Sequence, residues 1–210
     1  MQYIYLHGFA SSPQSYKAQY LKCCFANVGI NLEILDLNQG NFSNLTLTRQ
    51  IQQTVTAFKN TDTPVTLIGS SFGGLTAVWV GEKYPQVERL ILLAPAFNFL
   101  SHWLPKLGKA QVKQWQDFGY LSVYHYGEDR LLPLSYDFVL DAEKYHQDLL
   151  TRSIPTLIIH GTQDKTIPVM ASIKYAQNRD NVKLITPNSD HSLREAMESI
   201  WQEIQLFCSI

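Results

Sequence analysis

Val65-Thr66-Leu67-Ile68-Gly69-Ser70-Ser71-Phe72-Gly73-Gly74 changes character at its centre. Residues 65–68 are a short β-branched run that reads as a buried strand, whereas residues 72–84 carry a helical pattern that Pro85 ends. Between them Gly69-x-Ser71-x-Gly73 has the spacing of a strand–turn–helix with a serine at its apex. The flanking glycines permit a tight turn and a close approach of helix to strand. A serine held in this way projects from the carboxyl edge of a parallel sheet. Ser71 is therefore the candidate nucleophile, and Ser70 points away from that edge.

Working outward, strand and helix patterns alternate on both sides. Residues 3–6 read as a strand, and the loop over 8–13 leads to a helix with Ser12 expected as N-cap and Pro13 as its first residue. Tyr16, Tyr20, Leu21, Cys24, Phe25 and Val28 recur at helical spacing, and Gly29 is a natural stop. Strands are expected at 32–37, 89–94, 156–160 and 182–186, and a helix at 45–58. The last helix carries one apolar stripe through Leu193, Ala196, Met197, Ile200, Trp201, Ile204 and Phe207, which is core. The alternation predicts an α/β fold: a mostly parallel sheet of about six strands with helices on both faces.

Residues 97–150 interrupt the pattern. A helix near 108–117, an extended piece at 120–126 and a helix near 135–149 are expected there. Eleven of the 25 aromatic residues fall in this quarter of the chain, more than its share. The expected organisation is a core of residues 1–96 and 151–210 with residues 97–150 inserted as a cap over the strand ends. Trp103 and Trp115, both in the insertion, are candidate substrate-binding residues.

Composition limits the function classes. With 45% apolar and 17% charged residues, 210 residues make about one globular domain. The formal net charge is −1 with no basic cluster, which argues against nucleic acid as a partner. No apolar run approaches the roughly 20 residues of a membrane span. The chain opens on a strand pattern with no charged or apolar leader, so a cytoplasmic location is expected. Its near-zero charge leaves the oligomeric state open. Cys23 and Cys24 are adjacent within a helical pattern and read, with Cys208, as small buried hydrophobes. The six histidines show no metal-ligand spacing, so no metal is expected.

A serine hydroxyl needs a base, and the base an orienting acid. His160-Gly161-Thr162-Gln163-Asp164 leaves a strand at the same sheet edge, which puts Asp164 in a loop there. Asp190-His191 follows the next strand. Ser71, Asp164 and His191 thus converge from three separate parts of the chain. Asp190 adjoins His191 but sequence neighbours rarely face each other, and Asp129 lies in the insertion; both are weaker candidates for the acid. A tetrahedral intermediate needs two amide donors, expected from Phe72, after the serine, and from Phe9 in the first loop. Gly8 lets that backbone come close, and His7 is expected to orient the loop by hydrogen bonding. His7 and Gly8 are also candidate substrate contacts. Lys17 is near enough to meet an anionic substrate group, although a solvated helix lysine is the plainer expectation.

Through His7-Gly8-Phe9, the run from Gly69 to Gly74, the run from His160 to Pro168 and Asp190-His191-Ser192-Leu193, the chain resembles an α/β-hydrolase over nearly its whole length. More narrowly, Tyr5-Leu6-His7-Gly8-Phe9-Ala10-Ser11-Ser12-Pro13 and Ser15-Tyr16-Lys17-Ala18 resemble the small bacterial YqiA-type esterases. The resemblance implies a compact α/β-hydrolase fold without the two leading strands of larger members. It also implies a serine esterase without metal or cofactor, with Ser71, Asp164 and His191 in the family's chain order. The expected activity is cleavage of a small-molecule carboxylic ester through an acyl-enzyme, lost on acidification as the imidazole takes up a proton. An acyl-thioesterase with the same triad and a non-catalytic ligand-binding protein are the alternatives. A dehalogenase is disfavoured because it would place Asp, not Ser, at position 71.

Overall fold

Strands buried along their whole length need cover on both faces. In the computed structural model, which describes residues 1–60 and 62–210, β1 (Gln2–Leu6) and β3 (Val65–Ser70) are buried throughout. With β2 (Leu32–Leu35), β4 (Val87–Leu93), β7 (Thr156–Ile159) and β8 (Val182–Ile185) they form a six-stranded sheet in the order β2-β1-β3-β4-β7-β8. Every pairing in it is parallel.

Successive residues of a strand face opposite sides, and the two cores follow that period. Tyr3, Tyr5, Ile68, Ile91 and Leu157 pack with Leu21 and Phe25 of α1 (Tyr16–Asn27) and with Ile200 and Ile204 of α8 (Met197–Cys208). Ile4, Leu6, Leu67, Leu90 and Ile158 pack on the other side with Leu47 and Ile51 of α2 (Leu47–Thr56) and with Val78 of α3 (Phe72–Lys83). α3 is buried from Phe72 through Gly81, because it lies between the sheet and the helices outside it. α7 (Met170–Ala176) joins β7 to β8.

The intervening segment departs from its sequence pattern. α5 (Lys109–Phe118) lies where a helix was expected, but α4 (Phe99–Leu107) precedes it. Pro105 reads as a breaker, yet in the last turn of a nine-residue helix it removes only one terminal hydrogen bond. Gly108 and Gly119, at φ 81° and 80°, bound α5. The expected helix at 135–149 is replaced by β6 (Arg130–Ser135), α6 (Asp137–Ala142) and a 3-10 turn, Gln147–Leu149. β6 pairs antiparallel with β5 (Tyr120–His125) in a separate two-stranded ribbon, where Pro133 is tolerated because each strand keeps a free edge.

This segment sits on the carboxyl edge of the sheet through aromatic contacts. Phe9 lies 5.1 Å from Trp103 and 5.3 Å from Phe138, and Phe72 lies 5.2 Å from Phe99, between ring centroids. Tyr126 donates its amide to the Ala10 carbonyl at 2.8 Å, so the hairpin also holds the loop after β1. Asp141 accepts from the Thr48 amide at 2.8 Å and the Thr48 hydroxyl at 2.6 Å, fixing α6 to the first turn of α2.

Two local expectations are corrected. Ser12 does not cap α1: its hydroxyl accepts from the Gln14 amide and its carbonyl from the Ser15 amide, a separate turn before the helix begins at Tyr16. Of the cysteines only Cys208 is buried; Cys23 is exposed, because the buried stripe of α1 runs through Ala18, Leu21 and Phe25 and leaves it on the solvent side. No helix among the described residues is long and apolar enough to cross a membrane.

Candidate active site

Ser71 joins β3 to α3 at φ 53°, ψ −117°, a conformation that strains any residue with a Cβ by about 1–3 kcal/mol. The surroundings over-determine it. Its amide donates to the Leu93 carbonyl at 2.9 Å, and its carbonyl accepts from the amides of Gly74, Leu75 and Ala96. The glycines are required by space and not by φ. A Cβ on Gly69 would lie 2.4 Å from the Gly73 carbonyl oxygen, and one on Gly73 only 2.2 Å from that of Leu6.

His191 and Asp164 arrive from the loops after β8 and β7. His191 Nε2 lies 3.1 Å from Ser71 Oγ, and its Nδ1 lies 2.6 Å from Asp164 Oδ2. A carboxylate can only accept, so the neutral imidazole carries its proton on Nδ1 and offers a bare Nε2 to the serine hydroxyl. Asp164 accepts from four groups: His191, His160 Nε2 at 3.0 Å, and the amides of Thr166 and Ile167. Burial pushes its carboxyl up, but the hydrogen bonds from His160 and His191 outweigh that and hold it well below the usual carboxylate range.

The amides of Phe9 and Phe72 flank the serine. Among the described residues neither donates to another group. The loop carrying Phe9 runs against the serine so closely that a Cβ on Gly8 would lie 3.3 Å from Ser71 Cβ. His7 is fully buried beneath it. The Leu37 amide donates to His7 Nε2 at 3.1 Å, so the ring proton is on Nδ1 and reaches the Gly8 carbonyl at 2.9 Å. Burial lowers its basicity, in keeping with a neutral ring.

A cavity of about 770 Å³ opens over Ser71 and His191. Gly8, Phe9, Phe99, Trp103, Tyr124 and Tyr126 form part of its wall. Two expected substrate contacts are corrected. His7 lies behind the loop and does not reach the cavity, since its two ring nitrogens are spent on backbone. Trp115 is 1% exposed and donates its indole N–H to the Leu134 carbonyl at 2.9 Å, pinning α5 to the hairpin. A larger cavity, about 960 Å³, lies between α4 and α6 and contains none of Ser71, Asp164 and His191.

The weaker acids are engaged elsewhere: Asp190 accepts from the Ser192 amide and hydroxyl, and Asp129 from the Tyr124 hydroxyl. Ser70 is buried at the end of β3. Lys17 is not a solvated lysine. Its ammonium donates to the His191 carbonyl at 3.1 Å, and burial lowers its pKa to about 8 against the pull of Asp164 and Asp190. Sequence reasoning passed over His160, whose Nδ1 meets Ser172 Oγ at 2.7 Å while Nε2 faces Asp164. The four-residue step from His160 to Asp164 was the available signal. Among the described residues no group of three or more His, Cys, Asp and Glu side chains is placed to hold a metal.

A parallel sheet with a strained serine at the β3–α3 turn and a histidine and an aspartate at the same edge is the architecture of the α/β-hydrolase fold. Solved structures agree on the fold. Alpha/beta hydrolase domain-containing protein 10 from mouse matches with a TM-score of 0.81 at 19% identity, over 99% of this chain and 89% of its own. Est1E from Butyrivibrio proteoclasticus, with ferulic acid bound, gives 0.78 at 21%, over 99% and 89%. A monoacylglycerol lipase from Paleococcus ferrophilus gives 0.79 at 14%, over 99% and 94%. The chain belongs to the Uncharacterised protein family UPF0227, which it matches over residues 2–208. No match was found among curated proteins.

Proposed function

We propose that the protein is a serine hydrolase that cleaves carboxylic esters through an acyl-enzyme on Ser71. The unbroken hydrogen-bonded line from Ser71 Oγ through His191 to Asp164 carries this reading. Ser71 Oγ attacks the acyl carbon and its proton passes to His191 Nε2. The carbonyl oxygen, now negative, faces the Phe9 and Phe72 amides, whose lack of other acceptors supports that role. The intermediate collapses, and the leaving oxygen takes the proton from His191. Water then attacks the acyl carbon, giving a proton to His191 that returns to Ser71 as the carboxylic acid departs. Asp164 stays ionised throughout and holds the imidazole tautomer.

In this reading residues 97–150 act as a cap, and Phe99 and Trp103 take an apolar acyl group. The esterase and lipase among the structural neighbours are in keeping with it. The test is labelling by a fluorophosphonate probe with peptide mapping, on wild type and Ser71→Ala in parallel. Labelling of Ser71 that vanishes in the variant is the expected result, followed by turnover of a series of nitrophenyl acyl esters. A folded wild type that neither labels nor turns over any ester would overturn the proposal and favour ligand binding without catalysis.

A further inference from the structure

The cavity wall is chemically divided. On one side stand Phe9, Phe99 and Trp103, mutually packed at 5.1–5.6 Å between ring centroids. On the other stand Lys17, His191, Ser192 and Arg194. Among the described residues neither Lys17 nor Arg194 forms an ion pair. Lys17 uses one hydrogen on the His191 carbonyl. Arg194 places its guanidinium over the Tyr16 ring, 4.4 Å from the centroid, and among the described residues its side-chain N–H groups have no acceptor. The carboxylate lining the cavity is that of Asp190, already taken by the Ser192 amide and hydroxyl.

Proton delivery orients a substrate on this wall. His191 must hand its proton to the leaving oxygen, so the leaving group lies on the His191 side of Ser71 and the acyl group on the aromatic side. Lys17 is bonded to His191 itself, and Arg194 follows it by three residues. We infer that the preferred substrate is an ester whose leaving group carries a carboxylate or phosphate, held by Lys17 and Arg194, with an uncharged acyl group against Phe99 and Trp103. This rests on the ester-hydrolase reading above and assigns its leaving-group class.

A partly buried ammonium and an exposed guanidinium can both donate to one anion, an arrangement that favours charge-assisted hydrogen bonds. Burial holds the Lys17 ammonium at a cost that a bound anion would offset, and Asp164 and Asp190 are the acids that face it. Arg194 is exposed, so its replacement leaves the core untouched.

The experiment compares four butyryl or succinyl esters with the full chain. They are 4-carboxyphenyl butyrate, its methyl ester as a neutral control with a similarly activated phenol, the 4-phosphate analogue, and monophenyl succinate with its charge on the acyl side. The expected result is a kcat/KM about tenfold or more higher for the carboxylate or phosphate over the methyl ester, mainly through KM. Monophenyl succinate should show no such gain. Whichever anion gains more identifies the group. Arg194→Gln and Lys17→Met should each shrink the ratio, and Arg194→Glu should invert it in favour of a trimethylammonio-phenyl butyrate. Equal rates on the anionic and methyl esters would overturn the inference and leave ester hydrolysis standing. A ratio unchanged in both variants, or a gain for monophenyl succinate, would overturn the assignment of these residues. Hydrolysis of none of the esters would overturn the ester reading and this inference with it.

Discussion

His160 Nε2 lies 3.0 Å from Asp164 Oδ2, the same oxygen that accepts from His191 Nδ1 at 2.6 Å. One carboxylate oxygen therefore ties the histidine facing Ser71 to a second histidine that is fully buried in the floor of the site. His160 also faces the Ile167 carbonyl through Nε2, two acceptors that require the proton there, so Nδ1 accepts from Ser172. The acid of the site is held by the sheet as well as by its own loop.

Replacing Asp164 by Asn keeps the volume but supplies one acceptor oxygen where four donors converge. The expected result is a kcat about 10³–10⁴ lower, because the imidazole loses its tautomer. The pH dependence of stability changes too. The folded carboxyl titrates below its ordinary value of 3.8, so its contribution is present above that pH and is lost as pH falls toward the folded pKa. The stability gap between wild type and variant should be flat near neutrality and narrow below about pH 4, in urea titrations at successive pH values. A gap that widens on acidification would contradict the assignment.

The strained φ of Ser71 separates two inactive variants. Ser71→Ala keeps a Cβ at φ 53°, ψ −117°, whereas Ser71→Gly releases it. Strain relief of about 1–3 kcal/mol exceeds the roughly 0.5–1 kcal/mol entropic penalty of glycine. Ser71→Gly should therefore melt about 2–4 °C above Ser71→Ala. A lower melting point for the glycine variant would mean that the turn is not strained.

Two tryptophans in one segment should behave differently. Trp115→Ala removes a fully buried side chain and strands the Leu134 carbonyl, at a cost of about 3–5 kcal/mol. Trp103→Ala, half-buried on the cavity wall, should raise KM for apolar acyl esters with a smaller loss of stability. Chemical unfolding beside Michaelis kinetics distinguishes them. Equal effects of the two on both quantities would sink the distinction.

Lys17 is expected to destabilise the fold below its folded pKa. That pKa is about 8, lowered by burial from 10.5, so the folded state binds fewer protons than the unfolded state between those values. The penalty is complete below about pH 8 and fades as pH rises toward 10.5. Lys17→Met should melt above wild type at pH 7, and the difference should shrink by pH 10, in calorimetric scans across that range. A variant less stable than wild type at pH 7 would show that the hydrogen bond to the His191 carbonyl outweighs desolvation.

Much of this architecture was legible in the chain. The six-strand alternation, the strand–turn–helix around Ser71 and the apolar stripe of the last helix depend on residues within one turn or one strand of each other. The segment from 97 to 150 was less legible because its ribbon depends on β5 meeting β6, and Pro105 and Pro133 are both tolerated at positions that sequence rules treat as breaks.

By itself the sequence determined the kind of sheet, the glycine spacing that lets helix and strand approach at Ser71, and the separate loops that carry Asp164 and His191. These are consequences of local sterics and of periodicities of 2 and 3.6, which neighbouring residues settle among themselves. Only the tertiary structure decided that His160 shares the Asp164 oxygen, that Trp115 faces the hairpin and Trp103 the cavity, and that the Lys17 ammonium lies against the His191 carbonyl. The Lys17 contact joins residues 174 apart. Which direction a side chain faces, and whether its charge is desolvated, is set by packing across such separations.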